Sequence, residues 1–458
     1  MTYSRLVYLL LAALGCISQR IFGFAAAQLH PLEPARYQPL PALRQRALIQ
    51  NQWIAERITK IPSLLKKYNA QAWLLVQREH AEDTIWWSIK NATDFDAHRR
   101  TVLLFHTNES SLAGMPNPLK WIDNTGQVWP ELRSTLERSD PDRIVLNTDE
   151  DIAFAGGLHV GELAVLQREL GERWMKRTVN EPMLAVEFVA TKVPGQLQYY
   201  QNMQENVWAM LEEGFSHKVI RPGVTTTEDL SWWFREKMQN INVTTWNQPR
   251  ISVVTRDKVP GWEGTDGVIQ EGHILHIDFG ITAMGLNTDT QHMAYVLKTD
   301  SASLETDAPC SLQEGLRKSN RMQDIVLGNM WPGLTGNIVL RRSLDQMKSE
   351  GIDGQIYCHP IGDWGHDAGS VMGFVNLPEH VPVLGDLPIL SNTYYSIELY
   401  AYHFVPEQNE TIRFLQEENV AWSDESQSWK FVRGRQERFH LVDSTKIPPA
   451  FFVDQIQS

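Results

Sequence analysis

The feature that most constrains the fold is an internal repeat in the second half of the 458-residue chain. A helical pattern from Gln196 to Ile220 runs into Arg221-Pro-Gly-Val-Thr, and about 110 residues later a second helical pattern runs into Trp331-Pro-Gly-Leu-Thr. After each Pro-Gly turn a threonine can cap the next helix, and Thr225 with Glu228 is predicted to form a capping box. Each copy continues into a strand-rich stretch. The repeat predicts two ααβ halves that close a site between them.

The first part of the chain has a different pattern. Strand-like apolar runs at Ala72–Val76, Thr101–Phe105 and Arg143–Asn147 alternate with helical patterns, which is typical of an α/β domain. Hydrophobic residues make up 42% and charged residues 21% of the chain, so a sizeable core can be buried. We expect an α/β domain at residues 28–190 and the repeat-containing domain at residues 195–446.

The first 27 residues have the pattern of a secretory signal peptide. Arg5 precedes a short apolar run from Leu6 to Gly15, and Ala25-Ala-Ala27 offers a cleavage site. The apolar run is too short to span a bilayer comfortably. Cys16 leaves lipoprotein-type processing open, and an uncleaved anchor is a third alternative. We therefore expect a secreted or periplasmic protein, with membrane attachment through this segment as the alternative.

Charge and cysteine content exclude two classes of protein. A net charge of −13, from 55 acidic and 42 basic residues, disfavours a phosphate backbone as partner, so nucleic acid is not expected to bind. Beyond the leader, Cys310 and Cys358 are too few for a disulfide framework. We interpret Cys358 as a small buried residue, because the sequence supplies no matching base for a thiol mechanism.

Four acidic side chains stand in strand-like segments. Asp289 follows Asp278 by eleven residues, so two strands joined by a turn would bring both carboxylates to one face. Glu398 and Glu417 lie in later apolar stretches, and strand alternation places only one of Glu417 and Glu418 inside. A buried carboxylate is costly unless it is paired or binds a metal ion. Taken alone, each aspartate could instead cap a turn, and Glu417 could be exposed.

A Gly-rich loop between these acidic residues contains His359 and His366, seven positions apart. Neutral imidazole is a good ligand for divalent transition metals, and carboxylates can bridge two such ions. One histidine alone is more often structural, but the order Asp, Asp, His, Glu, Glu on strand-like segments favours a metal site. The candidate metal ligands are Asp278, Asp289, His359, Glu398 and Glu417.

These residues resemble the pita-bread metallopeptidases, a family that includes methionine aminopeptidase, aminopeptidase P, prolidase and the metal-free creatinase. The resemblance covers about Pro194 to Lys446. The upstream segment resembles the amino-terminal domain of the aminopeptidase P, prolidase and creatinase branch. The resemblance implies an α+β pita-bread catalytic domain with an ααβ pseudo-repeat, preceded by a creatinase-like α/β domain. Creatinase-type relatives lack the full ligand set, so its retention argues against creatinase chemistry.

The resemblance also assigns the metal ligands. Asp278 would bind one metal ion, while His359 and Glu398 would bind the other. Asp289 and Glu417 would bridge the two divalent ions. Manganese is the expected metal, and cobalt, zinc or iron are the alternatives, because oxygen ligands with one imidazole suit all four.

Two side chains would carry the chemistry. The nucleophile would be a metal-bridged hydroxide, with Glu398 handling its proton and His366 hydrogen-bonding the substrate carbonyl or the developing oxyanion. One position departs from the family pattern, since Gly261 stands where a further histidine is usual, about seventeen residues before Asp278. Rate and specificity depend on that histidine, whereas metal binding does not. His276 could substitute from the same strand face as Asp278, or be a buried or pocket-wall residue.

The sequence therefore predicts a metallopeptidase of the Xaa-Pro aminopeptidase or prolidase type, whose partner is a short peptide substrate. A catalytically impaired binding protein is one alternative, favoured by Gly261. A non-peptide amide or ester hydrolase is another, because Trp262 and Trp364 near the motif loops could form an aromatic pocket. His292, three residues after Asp289, is interpreted as structural or as supporting a ligand. Relatives in this branch are commonly dimers or larger, so the resemblance implies a homodimer or a larger assembly.

Overall fold

The computed structural model describes residues 33–122, 126–255, 267–299 and 304–446. The predicted leader, Gly261 and Trp262 lie outside the described residues, so what was inferred about them stays a prediction. None of the described helices is both long enough and apolar enough to cross a membrane.

The first part of the chain is built on a five-stranded sheet. Its strands are β1 Ala72–Arg78, β2 Arg100–His106, β3 Leu119–Ile122, β4 Ile144–Val145 and β5 Thr178–Val179. They are arranged in the order β3-β2-β1-β4-β5, with β1 antiparallel to β2 and parallel to β4. Trp73 and Leu75 of the central strand face one buried cluster, whereas Leu74 and Val76 face another. Both faces are covered, which explains the continuous apolar run of β1.

Helices cover the two faces of this sheet. They are α2 Ile61–Lys67, α3 Thr84–Ile89, α4 Val128–Ser139, α5 Val160–Met175 and α6 Pro182–Ala190. The preceding helix, α1 Leu43–Ile58, packs through Trp53 against the core of the second part of the chain. Leu184 and Phe188 of α6 pack into the same cluster as Trp73. The mixed α and β pattern predicted for this part of the chain is confirmed.

The long helix predicted from Gln196 to Ile220 ends earlier. Helix α7 spans Gln196–Gly214 and is followed by a turn in which the Ser216 hydroxyl donates to the Glu213 carbonyl oxygen at 2.7 Å. Gly223 has a φ of +81°, a conformation that favours glycine. The chain therefore uses the residues from 215 to 223 to reverse direction before α8, Thr227–Asn240.

The capping box of α8 lies one residue later than predicted. Thr226 Oγ1 accepts from Asp229 N at 3.0 Å, and the Asp229 carboxylate accepts from Thr226 N at 2.8 Å. Thr225 lies one residue too early to cap a helix that begins at Thr227, and its hydroxyl oxygen instead accepts a hydrogen bond from Arg221 N in the preceding turn. The prediction of Thr225 with Glu228 is wrong, although a capping box is present.

The second copy of the repeat has the same construction. Helix α9, Cys310–Asn329, is followed by a Pro-Gly turn and by helix α10, Gly336–Ser349. Gly333 in this turn has a φ of +86°, close to that of Gly223 in the first copy. Thr335 caps α10 by accepting from Ile338 N. The predicted internal repeat is confirmed.

The two copies share one large, nine-stranded sheet. Its strands are β6 Arg250–Val253, β7 Ile274–Phe279, β10 Thr290–Val296, β11 Gly354–Ile356, β12 His359–Ile361, β13 Tyr394–Val405, β14 Glu410–Ser423, β15 Ser428–Phe431 and β16 His440–Val442, and the short pair β8 Thr282–Ala283 and β9 Leu286–Asn287 lies apart. The strand order is β11-β13-β14-β10-β7-β6, with β12, β15 and β16 beside β13, β14 and β10. Ile277 and Ile397 pack under the helices, so their neighbours Asp278 and Glu398 face the other side. The result is the predicted α+β fold.

Candidate metal centre

Four polar side chains lie in one row across four neighbouring strands of the large sheet. Strand pairing places Asp278 of β7 opposite Gln291 of β10, Gln291 opposite Glu417 of β14, and Glu417 opposite Glu398 of β13. Side chains of directly paired residues share a face and lie about 5 Å apart. The sheet therefore gathers three of the predicted ligands at one level, with a glutamine among them.

Asp289 joins this row because it lies two residues before Gln291 and so faces the same side. The chain leaves β7 at Gly280, where a Cβ would lie 1.8 Å from the Thr288 carbonyl oxygen. Only glycine permits this approach. Trp246 Nε1 donates to the same oxygen at 2.7 Å and fixes the residue before Asp289. The predicted pairing of the two aspartate strands is confirmed.

His359 of β12 points its free nitrogen at the carboxylates. Its Nδ1 lies 2.9 Å from the Pro360 carbonyl oxygen, so Nδ1 carries the proton and Nε2 keeps a lone pair. Nε2 is 3.4 Å from Glu417 Oε1, 3.7 Å from Glu398 Oε2 and 3.8 Å from Asp289 Oδ2. It is buried and has no hydrogen-bond partner within the part of the chain that the structure describes. An unpartnered imidazole nitrogen that faces three carboxylates fits a metal ligand.

The five predicted ligands form two overlapping groups. Ligand atoms lie within 4.8 Å of one another in a first group of Asp289, His359 and Glu417, and in a second group of Asp278, Glu398 and Glu417. Glu417 belongs to both groups, as its predicted bridging role requires. Glu398 groups with Asp278, although it also approaches His359. The two groups therefore make one continuous cluster.

Burial gives this cluster unusual acid–base properties. Burial, followed by the charge of Glu417, raises the pKa of Asp278 to about 8. Burial and the charge of Glu417 also raise the pKa values of Asp289 and Glu398 well above the ordinary range. Carboxylates crowded in this way cannot all stay ionised unless a cation compensates their charge. The cluster is therefore suited to binding divalent cations.

Comparison with known proteins finds a family model that matches part of this chain. Residues 199–421 match the sequence profile described as metallopeptidase family M24. The matched stretch covers just under half of the chain. The match falls inside the stretch predicted from the pita-bread resemblance and confirms it. No match is found among curated protein sequences.

Solved structures share the fold over most of the chain. An X-Pro aminopeptidase from Thermotoga maritima has a TM-score of 0.60 at 14% identity, covering 83% of this chain and 100% of its own. A Xaa-Pro dipeptidase from Bacillus anthracis has a TM-score of 0.56 at 14% identity, covering 85% and 99%. A prolidase from Pyrococcus horikoshii has a TM-score of 0.52 at 13% identity, covering 83% and 99%. The likeness extends well beyond the M24 domain to the upstream α/β part.

A cavity of about 710 Å³ opens onto the cluster of five candidate metal ligands, which we call the metal cluster. This volume suits a small ligand such as a short peptide. The segment Asp151–Phe154 of the upstream part contributes to the wall. Aromatic side chains also line the cavity, namely Phe154, Trp246, Tyr357, Phe374 and Tyr400.

The aromatic pocket differs from the one predicted. Trp364 does not line the cavity but packs edge-on against Phe154, with ring centroids 6.1 Å apart, at the edge of the upstream core. The tryptophan that lines the cavity is Trp246. Trp246 carries no distinguishing motif in the sequence, because its role depends on the fold that brings it to Thr288.

His366 lies beside the metal cluster and is exposed to the cavity. Its ring centroid is 4.7 Å from that of His359 and 5.3 Å from that of Trp246. The loop can approach because residue 365 is glycine, since a Cβ there would lie 2.1 Å from the Trp246 ring. Partial burial, followed by His359, lowers the pKa of His366 to about 4. His366 is therefore neutral at pH 7 and can still donate one hydrogen bond.

Gln291 is the site residue that sequence reasoning missed. Its Nε2 donates to Glu398 Oε1 at 2.5 Å and to Glu417 Oε2 at 2.8 Å. Its Oε1 lies 2.9 Å from His276 Nε2. His276 lines the cavity, and burial lowers its pKa to about 4, so the neutral ring can hold the amide in this orientation. Strand alternation from Asp289 was the signal that could have identified Gln291.

The opposite face of the sheet corrects one prediction. Glu417 and Glu418 are both buried, so the expectation that only one lies inside is wrong. Glu418 faces away from the metal cluster, where its Oε1 lies 2.7 Å from His292 Nε2 and accepts from Gln436 N at 2.9 Å. His292 also contacts His440 Nε2 at 2.9 Å through Nδ1. These contacts support the structural interpretation of His292.

Cys358 is buried next to the metal cluster but takes no part in it. Its Sγ donates to the Glu398 backbone carbonyl at 3.3 Å, and burial raises the pKa of the thiol. The predicted role as a small buried residue is confirmed.

We predict that Gln291→Met lowers the affinity for divalent metal by about 10- to 100-fold, because the side chain loses the amide that orients two ligands. Calorimetric titration of Mn²⁺ into the metal-free protein measures this change. Gln355→Met is the matched control, since Gln355 lines the same cavity but donates to the carbonyl oxygens of Phe374 and Val375. Equal Mn²⁺ affinity in the wild type and Gln291→Met would contradict the assignment.

Proposed function

We propose that this chain is a dinuclear metallopeptidase that cleaves the bond before proline in short Xaa-Pro peptides. The observation that carries the proposal is the overlap of the two ligand groups at Glu417. Two cations that share one carboxylate lie close enough to act on one substrate. The unpartnered Nε2 of His359 supports metal binding over a purely structural cluster.

The metal ligands would be Asp278, Asp289, His359, Glu398 and Glu417. Divalent ions held there would lower the pKa of a bound water and would polarise the scissile carbonyl. Glu398 is placed to receive the proton of the attacking water. Its Oε1 accepts a hydrogen bond from Gln291, and its Oε2 faces His359 and the other candidate ligands. Neutral His366 donates a hydrogen bond to the substrate carbonyl oxygen and stabilises the charge that develops on it.

The cavity walls support a small, partly apolar substrate. Side chains such as Phe374, Val371 and Leu387 form a surface that suits a proline ring, while the carboxylates at the cluster suit a free amino group. The solved structures that share the fold are described as X-Pro aminopeptidase, Xaa-Pro dipeptidase and prolidase. These descriptions motivate the proline preference, which we carry to this chain as a proposal.

Three further parts of the proposal concern metal, location and assembly. We propose Mn²⁺ as the working ion, with cobalt, zinc or iron as alternatives, because the ligand set of oxygens with one imidazole accepts all of them. We propose export, since residues 1–27 have the pattern of a signal peptide. We propose a homodimer only from the resemblance to this branch of the family.

We predict that the protein without residues 1–27, loaded with Mn²⁺, hydrolyses Xaa-Pro dipeptides or Xaa-Pro-Yaa tripeptides. Replacing proline by alanine in the same peptide is expected to lower kcat/KM by about 10- to 100-fold, the range that apolar pocket contacts provide. Release of the free amino-terminal residue measures turnover, and the preferred peptide length separates prolidase from aminopeptidase P. Bound metal without turnover of any peptide would favour the impaired binding protein or the non-peptide hydrolase instead.

A further inference from the structure

A buried group of four charged side chains lies behind the loop that carries His366. Arg57 comes from α1, Lys192 from the connection between α6 and α7, and Asp363 and Asp367 from the loop itself. All four side chains are at most 9% exposed. We call these four residues the loop clamp. It joins three separate parts of the chain at one point.

The contacts of the loop clamp are direct. Arg57 Nη1 lies 2.7 Å from Asp363 Oδ2. Lys192 Nζ lies 2.9 Å from Asp367 Oδ2 and 3.4 Å from Asp363 Oδ1. Burial tends to raise the pKa of Asp363, but the charges of Arg57 and Lys192 outweigh burial and hold it below its usual range. Burial raises the pKa of Asp367, while the charge of Lys192 opposes this shift. With both carboxylates ionised, the two carboxylates and two cations balance in charge.

The clamp restrains the loop on both sides of His366. Asp363 N donates to Asp367 Oδ2 at 3.0 Å, which closes the loop around residues 364–366. From the sheet side, Asn287 Nδ2 donates to the carbonyl oxygens of Gly362 and Asp363 at 3.1 and 2.9 Å. His366 thus sits on a short segment with both ends fixed.

Arg57 connects the loop to the upstream α/β part. Its Nη2 donates to the Ser88 carbonyl oxygen at 2.7 Å, and its Nη1 also reaches the Val189 carbonyl oxygen at 3.4 Å. Lys192 Nζ donates to that same Val189 carbonyl at 3.1 Å. The position of the His366 loop is therefore set in part by Arg57 and Lys192, which lie outside the 199–421 stretch of the M24 match.

We propose that Arg57 and Lys192 are positioning residues, through which the upstream part of the chain sets the position of His366 over the metal cluster. The proposal rests on the catalytic role proposed for His366. Stability alone does not explain the arrangement, because well-packed apolar residues often stabilise a protein as much as a buried ion cluster. Directional hydrogen bonds and ion pairs fix the position of the loop more precisely than apolar packing does. Such precision matters for catalysis, because a displacement of about 1 Å in a reacting group can cost about 100-fold in rate.

The first test is the variant Arg57→Met, which keeps the length of the side chain and removes its charge and donors. We expect kcat for the best Xaa-Pro peptide to fall by about 10- to 100-fold, with KM changed by less than about threefold and bound metal unchanged. Arg57→Lys, which keeps a cation, is expected to recover part of the loss. Arg100→Met is the control, because Arg100 forms a partly buried ion pair at 2.6 Å with Glu162 in the upstream α/β part. It is expected to lower stability without lowering kcat.

The second test is a double-mutant cycle with His366→Ala. If Arg57 acts through His366, Arg57→Met costs less than about threefold in kcat once His366 is absent. An equal loss of kcat in both backgrounds would overturn the proposal, since Arg57 would then act independently of His366. Unchanged kcat in Arg57→Met alone would overturn it as well.

The third test does not depend on turnover. Deuterium uptake of residues 362–369, measured by mass spectrometry, is expected to rise in Arg57→Met while uptake in α7 stays unchanged. Unchanged uptake in the loop would overturn the positioning role. If the wild type hydrolyses no peptide, the proposed function fails, and the uptake measurement still decides whether Arg57 holds the loop.

Discussion

Asp289→Asn is expected to lower kcat/KM for Xaa-Pro peptides by about 1,000-fold. Asp289 is placed to bind a metal ion together with His359 and Glu417. Its replacement by a neutral amide removes one negative charge from the metal site. A bound cation contributes several kcal/mol of transition-state stabilisation, and about 4 kcal/mol corresponds to about 1,000-fold in rate. Steady-state kinetics on the Mn²⁺-loaded protein, together with elemental analysis of bound metal, measures the effect.

The fold is expected to tolerate this change. Burial and the neighbouring carboxylates already raise the pKa of Asp289, so without metal the neutral form is favoured and asparagine resembles it in shape and charge. Asp324→Asn is the control, because Asp324 pairs with Arg435 at the surface, at 2.5 Å. An Asp289→Asn variant that retains wild-type kcat/KM would show that the cluster is not the catalytic metal site.

The sequence led to five candidate ligands that the structure brings together, because two kinds of local signal coincide. Asp278, Glu398 and Glu417 stand in apolar strands, where a carboxylate needs a reason to be buried. The repeat of helices and Pro-Gly turns indicated that two halves of the chain share one site. Neither signal gives the register of the strands, so the single row that joins Asp278, Gln291, Glu417 and Glu398 could only be found in the structure.

What the sequence did not reveal depends on contacts between distant segments. Glu418 is buried because β14 is covered on both faces, and alternation cannot distinguish that from a strand with one exposed face. Trp246 is recognisable only through its contacts with Thr288 and His366. Arg57 lies about 300 residues before the loop that it holds, and nothing in its neighbourhood indicates a partner.

The metal-free protein is expected to lose stability as pH rises from 7 to 8. The pKa of Asp278 is about 8 in the folded protein against 3.8 ordinarily, so the folded state holds a proton that the unfolded chain releases. The contribution of Asp278 to the free energy of unfolding is fully present below about pH 4 and is lost as pH rises through 8. Each excess proton contributes a slope of about 1.4 kcal/mol per pH unit. The raised pKa values of Asp289 and Glu398 act in the same direction.

The choice of pH window separates this effect from that of the histidines. Burial lowers the pKa of His276 and of His366 to about 4, so these groups make the protein more stable as pH rises toward about 6.5 and have no further effect above it. Urea unfolding in EDTA at pH 7 and 8 therefore reports the buried carboxyl groups, which include Glu418 on the opposite face of the sheet. Mn²⁺ should reverse the trend, because binding takes the place of the protons. Asp278→Asn should flatten the slope of the metal-free protein, whereas a wild-type stability in EDTA that holds or rises from pH 7 to 8 would mean that the cluster is not protonated in the fold.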